Sequence, residues 1–331
     1  MSKPPQLDLF GAAPKKAGKE PVGPAALSEE IRALGKALPP KLYLGTSSWS
    51  FPGWEGIVYD RKASHAELAR EGLAAYGRHP LLRTVGIDRT YYAPIEKSVY
   101  AEYAGQVPAD FRFLAKASEA LTVARYPDHA RYGSRRGQKN PDFLSLSYAE
   151  DYVVGPFMEG LREKAGVLLL QFAPQDVSAM GGAAGFADRI HELLARLPKG
   201  PVYAVEIRNK ELLTPQYREA LGAAGAVHCL NIHPAMPGIS AQAEMALSEK
   251  APALVCRWML APGLTYDTAK NRYEPFDELV DEAPQTRLDI AREVIRKLKA
   301  GTPAYVIANN KAEGSSPLTL IKLAGEVLRE V

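Results

Sequence analysis

From Lys41 onward, eight short apolar runs rich in β-branched residues alternate with amphipathic helical stretches, which predicts an α/β chain folded as a (β/α)8 TIM-like barrel. Length agrees: residues 41–331 hold eight such units, against a usual size of about 250 residues for that architecture. So do the ends of the runs, nearly all of which finish on a polar or ionisable side chain, where a barrel carries its chemistry. A doubly wound open sheet is the competing architecture. It commonly follows its first strand with a glycine-rich turn and a helix, whereas Gly45-Thr46-Ser47-Ser48 runs into Trp49.

In chain order, a tail over residues 1–26 comes first. Residues 1–24 hold five Pro and three Gly around one apolar cluster, Leu7, Leu9 and Phe10. So little apolar surface cannot offset the entropy of ordering, and disorder is expected. Residues 27–40 then form a short lead-in helix. Ser28 is placed to cap it, Ile31, Leu34 and Leu38 share a face, and Pro39-Pro40 stops it. Strands are expected over 42–48, 84–92, 111–118, 167–172, 202–208, 226–232, 253–259 and 304–310. Helices are expected near 64–76, 95–104, 150–164, 184–197, 215–224, 285–299 and 317–330, with a weaker one around 240–249.

With 46% hydrophobic and 24% charged residues, the composition is ordinary for a globular chain and excludes collagen-like, disordered and disulfide-scaffold classes. No run of about 18 apolar residues occurs, so no membrane partner is expected. The first residues also lack the apolar stretch of a secretory signal. Cys229 and Cys256 stand apart among apolar neighbours, as expected of reduced, buried thiols in a cytoplasmic protein. Formal net charge is +3, of which residues 1–40 contribute +2. Bulk charge therefore gives the folded part no claim on nucleic acid.

Five stretches are the most distinctive: 45–60 (GTSSWSFPGWEGIVYD), 84–122 (opening TVGIDRTYYAP), 168–174 (LLLQFAP), 205–208 (VEIR) and 305–317 (YVIANNKAEGSSP). They resemble the family called domain of unknown function 72, or YecE-like, and the likeness runs over roughly residues 42–330. It implies a TIM-like barrel related in fold to endonuclease IV and xylose isomerase, and it implies no particular reaction. The Val-Glu-Ile-Asn usual in the family's second motif stands here as Val85-Gly86-Ile87-Asp88.

The strand ends supply the candidate site. Asp88, Lys116 and Glu206 are the candidate catalytic groups, and Gln171, Arg208, Asn231, Arg257 and Asn309 the candidate substrate-binding groups. Glu206 and Arg208 are two apart and so share one side of their strand. A carboxylate beside a guanidinium stays ionised and can orient a ligand or act as a base; the pair can equally close the barrel top as a structural ion pair. Lys116 can neutralise an anion, form a Schiff base if its pKa is depressed, or cap an ion network. Arg208, Arg257 and Asn309 suit a phosphate or a carboxylate. Trp49 and Tyr91, with Phe51, Trp54, Tyr59 and Tyr92 nearby, offer faces for bases or sugars, or pack loops onto the barrel. Of six histidines only His233 ends a strand, so a multi-zinc site is not expected. No cofactor is evident, and a single magnesium on Asp88, Glu206 and water is compatible with the sequence.

Two further features point outside the mouth. Between Arg125 and Lys139 the third loop carries Arg131, Arg135, Arg136 and Lys139 against Asp128 alone, with Tyr126 and Tyr132 interleaved. Such a loop can track a phosphate backbone, or can be a solvated charge run. In the tail, Gln6-Leu7-Asp8-Leu9-Phe10 resembles the peptide by which bacterial polymerases and repair proteins dock on the replication sliding clamp. Leu9 and Phe10 would fill an apolar pocket while Gln6 bonds at its rim. At residue frequencies of roughly 4–10%, five matched positions arise by chance about once in a million starts. Together these features lead to a nucleic-acid-associated enzyme or binding protein, DNA-directed and held at the sliding clamp. If an enzyme, it is a hydrolase of nucleic acid or a phosphorylated substrate. The alternatives are a small-molecule enzyme acting on a sugar or phosphorylated metabolite, and a non-catalytic barrel scaffold.

Overall fold

Successive side chains of a strand point to opposite faces, so in a closed barrel one set must fill the lumen and the other must meet the helices. The computed structural model, which describes residues 20–330, has that arrangement. Its strands are β1 (Leu42–Thr46), β2 (Leu82–Ile87), β3 (Arg112–Lys116), β4 (Ala165–Phe172), β5 (Val202–Ile207), β6 (Val227–Ile232), β7 (Leu254–Trp258) and β8 (Ala304–Ala308). All neighbours are parallel, the order is sequential, and β8 pairs back onto β1. Leu114, Val167, Leu169, Ala204, Val227, Cys229, Val255, Tyr305 and Ile307 form the lumen cluster. The alternate residues, among them Phe113, Leu168, Leu170, Val205, Leu230, Cys256 and Val306, pack outward against the helices. Burying each such side chain contributes about 1.5–3 kcal/mol.

Gly45 makes the β1–β2 seam possible. A Cβ there would lie 1.9 Å from the carbonyl oxygen of Thr84, and the register shifts at this point. Trp49 and Tyr59 also serve packing. The Trp49 indole donates to the Leu68 carbonyl at 3.1 Å and meets Tyr103 edge to face, and the Tyr59 hydroxyl donates to the Trp49 carbonyl. The Trp49 ring, a candidate substrate contact, lies in the core, 6% exposed.

Most strand ends lie within two residues of expectation, and two boundaries differ by more, for local reasons. The second strand starts earlier and stops at Ile87. There the Thr90 hydroxyl donates to the carbonyls of Ile87 and Lys116, both at 2.7 Å, and Asp88–Tyr91 winds into a single 3-10 turn. The tail expected to be disordered through residue 26 joins the fold sooner. Val22 is buried, the Gly23 and Ala25 backbones bond to Asp60 and Val58, and Pro24 bridges Tyr59. The lead-in helix spans Glu29–Ala37, with the Ser28 hydroxyl accepting from the Ile31 N–H. Three α-helices were not expected: the short Glu119–Thr122 and Leu146–Tyr148, and Tyr266–Tyr273, which Thr265 and Thr268 cap reciprocally.

Candidate functional site

Two residues beyond the apolar lumen cluster, the same inward positions become polar. Leu114 is followed by Lys116, Leu169 by Gln171, Ala204 by Glu206, Cys229 by Asn231, Val255 by Arg257 and Ile307 by Asn309. Register sets the neighbours, with Gln171 opposite Glu206 and Asn231 opposite Arg257. Glu206 is the hub. Its Oε1 accepts from Arg208 Nε at 2.9 Å and its Oε2 from Arg257 Nη1. Gln171 Oε1 accepts from the same Arg257 nitrogen at 2.8 Å and from Arg208 at 3.4 Å. On the far side Lys116 Nζ lies 3.1 Å from Asp88 Oδ2, and Arg257 Nη2 lies 3.8 Å from Asp88 Oδ1. Arg257 thus stands between two carboxylates.

Burial makes these charges strong. Glu206 and Arg257 are 0% exposed. Burial alone would raise the Glu206 carboxyl, but Arg257, Arg208 and Lys116 outweigh it and hold the group at about 2. Burial pulls Lys116 down to about 8; Asp88 opposes that fall and Arg257 adds to it. Arg257 is pushed up by Glu206 and Asp88 against the effect of its own burial. Three cations face two carboxylates. The buried Nε and Nη2 of Arg257 have no hydrogen-bond acceptor, and Asp88 Oδ1 has no donor. Arg257 Nη2 and Asp88 Oδ1 face one another at 3.8 Å as a long ion pair, which leaves Arg257 Nε as the donor without a partner.

The profile of the family described as "Protein of unknown function DUF72" matches residues 43–330. The chain belongs to the DUF72 family. Solved DUF72 structures share the barrel. One from Enterococcus faecalis is 18% identical, with a TM-score of 0.56 over 88% of this chain and 96% of that one. Another, from Thermotoga maritima, is 19% identical, with a TM-score of 0.57 over 87% of this chain and 99% of that one. Identity this low speaks for the fold alone. No curated protein matches the chain.

Elsewhere in this DUF72 barrel the sequence-derived candidates divide. Tyr91 reaches the mouth, with Lys116 Nζ 5.7 Å from its ring centre, and burial raises its pKa. Asn309 braces β8 to β1: its Nδ2 donates to Ser47 Oγ at 2.8 Å and its Oδ1 accepts from the Lys311 N–H. Asn231 donates to the carbonyls of Ile207 and Cys229, and its buried Oδ1 has no partner. Among the described residues no three His, Cys, Asp or Glu side chains are grouped to hold a metal. A magnesium on Asp88 and Glu206 would have to displace a guanidinium from one or the other. His233 lines a separate cavity of about 340 Å³, where burial and then Arg208 lower its pKa.

The basic loop is exposed, and its arginines have partners. Arg131 pairs with Glu119 at 2.7 Å and lies over the rings of Tyr92 and Tyr132. Arg135 lies over Tyr126, Arg136 pairs with Asp128 at 3.5 Å, and Lys139 sits where the loop's two arms bridge. Gln6, Leu7, Asp8, Leu9 and Phe10 lie outside the described residues. Two mouth neighbours escaped the sequence reading, Tyr266 and Lys311. The Thr265–Thr268 spacing signalled the helix that carries Tyr266, but nothing local signalled that it approaches Arg208. Among the described residues no helix is long and apolar enough to cross a membrane.

Proposed function

We propose that the barrel mouth binds the phosphate of a substrate, and that the protein is a nucleic-acid-associated enzyme or binding protein of the DNA repair or replication-linked class. The observation that carries this reading is the excess of cations at the mouth, where Lys116, Arg208 and Arg257 face only Asp88 and Glu206. In this reading Arg208, whose side chain is 10% exposed, grips phosphate oxygens, and fully buried Arg257 adds its charge from behind. Glu206 holds both guanidiniums in place, and the Lys116–Asp88 pair exchanges the proton of any reaction that follows. Exposed Tyr92, stacked by Arg131 at the rim, supports a nucleic-acid strand as the source of the phosphate. The five matched residues Gln6–Phe10 support recruitment to a bacterial sliding clamp.

Titration of the full chain with inorganic phosphate and with a 5′-phosphorylated single strand tests the mouth. Both should bind, and Arg208→Ala should weaken both at least tenfold. Absence of binding at low salt by either probe removes the reading. Surface plasmon resonance on immobilised clamp tests the tail: Leu9→Ala with Phe10→Ala should abolish a micromolar interaction, and equal binding by the variant would discard it. A second reading, a phosphorylated metabolite, is favoured by the depth of Lys116 and Arg208, whose side chains are each 10% exposed. Phosphate binding without strand binding would select it.

A further inference from the structure

Beside the mouth lies a cavity of about 510 Å³, walled by the loop after β1 and by residues following β7 and β8. Such a volume lies within the usual range for small-ligand pockets. Its apolar walls are Phe51 and Phe276, whose rings meet edge to face at 5.7 Å. Gly53 lets the two loops close: a Cβ there would lie 1.8 Å from the carbonyl oxygen of Pro275. Phe276 itself is held at φ 72°, a left-handed conformation that aromatic side chains rarely adopt. The Phe276 N–H donates to the Tyr273 carbonyl at 2.7 Å and fixes it there.

The polar lining is His65, Lys270, Glu274 and Lys311. Lys270 and Glu274 face one another at 3.7 Å; Lys311, on which Glu274, Asp267 and Asp88 also act, forms no ion pair among the described residues. Its ammonium lies 5.6 Å from the Tyr266 ring centre and 5.7 Å from that of Phe276, and burial lowers its pKa. The cavity and the mouth are electrostatic neighbours. Asp88 acts on Lys311, and Tyr266, under the Lys311 ammonium, acts on Arg208.

We propose that this cavity holds the planar ring of a nucleotide against the aromatic wall formed by Phe51 and Phe276, with the phosphate lying toward the mouth and Lys311 at the junction. The proposal rests on the reading of the mouth as a phosphate site and adds the half of the ligand that the mouth does not explain. Aromatic walls beside an unpaired cation suit a ring that carries an acid, since stacking and charge then act on one ligand.

Calorimetric titration of the full chain with inorganic phosphate, adenosine 5′-monophosphate and a 5′-phosphorylated trinucleotide tests it. The mononucleotide should bind at least tenfold more tightly than phosphate. Phe276→Gly, which suits the left-handed backbone, should remove that advantage and leave phosphate binding unchanged. Lys311→Met should weaken both ligands severalfold. Phe51→Ala provides the same readout should Phe276→Gly lose its native melting transition. If neither ring variant changes nucleotide affinity while phosphate still binds, the cavity proposal is overturned and the mouth reading stands. If the nucleotide binds in a Phe276-dependent way and phosphate does not bind, the cavity is supported and the mouth reading falls. If none of the three probes binds, both are wrong. Tighter binding of the trinucleotide than of the mononucleotide supports the cavity and assigns it to a strand end. The reverse order supports it and assigns it to a free nucleotide.

Discussion

The lower and upper layers of the barrel lumen are built by the same strands, two residues apart, and they solve burial in opposite ways. Below, Leu114, Leu169, Ala204, Cys229, Val255 and Ile307 fill space with apolar side chains, and Tyr43 stacks on Tyr305 at 4.6 Å. Above, Lys116, Gln171, Glu206, Asn231, Arg257 and Asn309 fill the same tube with charges and amides. Apolar packing is the stabilising choice, whereas a buried ion network is often no more stable than its apolar replacement. The upper layer therefore points to a role other than holding the barrel together. The contrast separates the scaffold from the site within single strands.

The largest effect is expected at Arg257. Arg257→Met leaves Glu206 buried with one guanidinium fewer, a loss of about 3–5 kcal/mol in urea unfolding. Adding Glu206→Gln should restore most of it. A single variant as stable as the parent would mean that the two layers do not differ in kind.

The pH dependence is specific to the upper layer. Glu206 is held at about 2, below its ordinary 4.5, so its contribution to stability is fully present above 4.5 and is lost as pH falls toward 2. Lys116 is depressed from 10.5 to about 8, so between those values the unfolded chain binds the extra proton and stability rises with pH. Lys116→Met should remove that rise in unfolding free energies measured from pH 7 to 10.5. Phosphate affinity of the parent should fall over the first part of the same range, as the ammonium is lost. A Lys116→Met profile matching the parent would show that this amine does not titrate in the window.

A smaller and purely mechanical effect belongs to the lower layer. Ile307→Val should cost about 0.5–1.5 kcal/mol and leave phosphate affinity unchanged. A change in affinity would show that the two layers are coupled. The smallest stability effect is expected outside the lumen, at Arg135 and Arg136. Arg136 forms an exposed pair with Asp128, worth at most about 1 kcal/mol, so reversing both charges should barely move the melting temperature. Single-strand binding, by contrast, should weaken and its salt slope flatten. Unchanged binding would assign these arginines to solvent.

Much of this was legible in the residues themselves. Alternation along strands such as Val167-Leu168-Leu169-Leu170-Gln171 and Val202-Tyr203-Ala204-Val205-Glu206 set both the eight-unit architecture and the side on which each polar end group stands, because strand periodicity is local and fixed at two. What only the tertiary structure decided was partnership. Glu206 and Arg257 are 51 residues apart, and their contact depends on how eight strands close into a ring. The same closure turned Trp49 into the core, drew residues 22–25 onto the barrel, and brought Phe51, Phe276 and Lys311 around one cavity from three distant loops. Local sequence fixes the direction of a side chain relative to its own backbone, whereas contacts between loops depend on long-range packing that no single segment encodes.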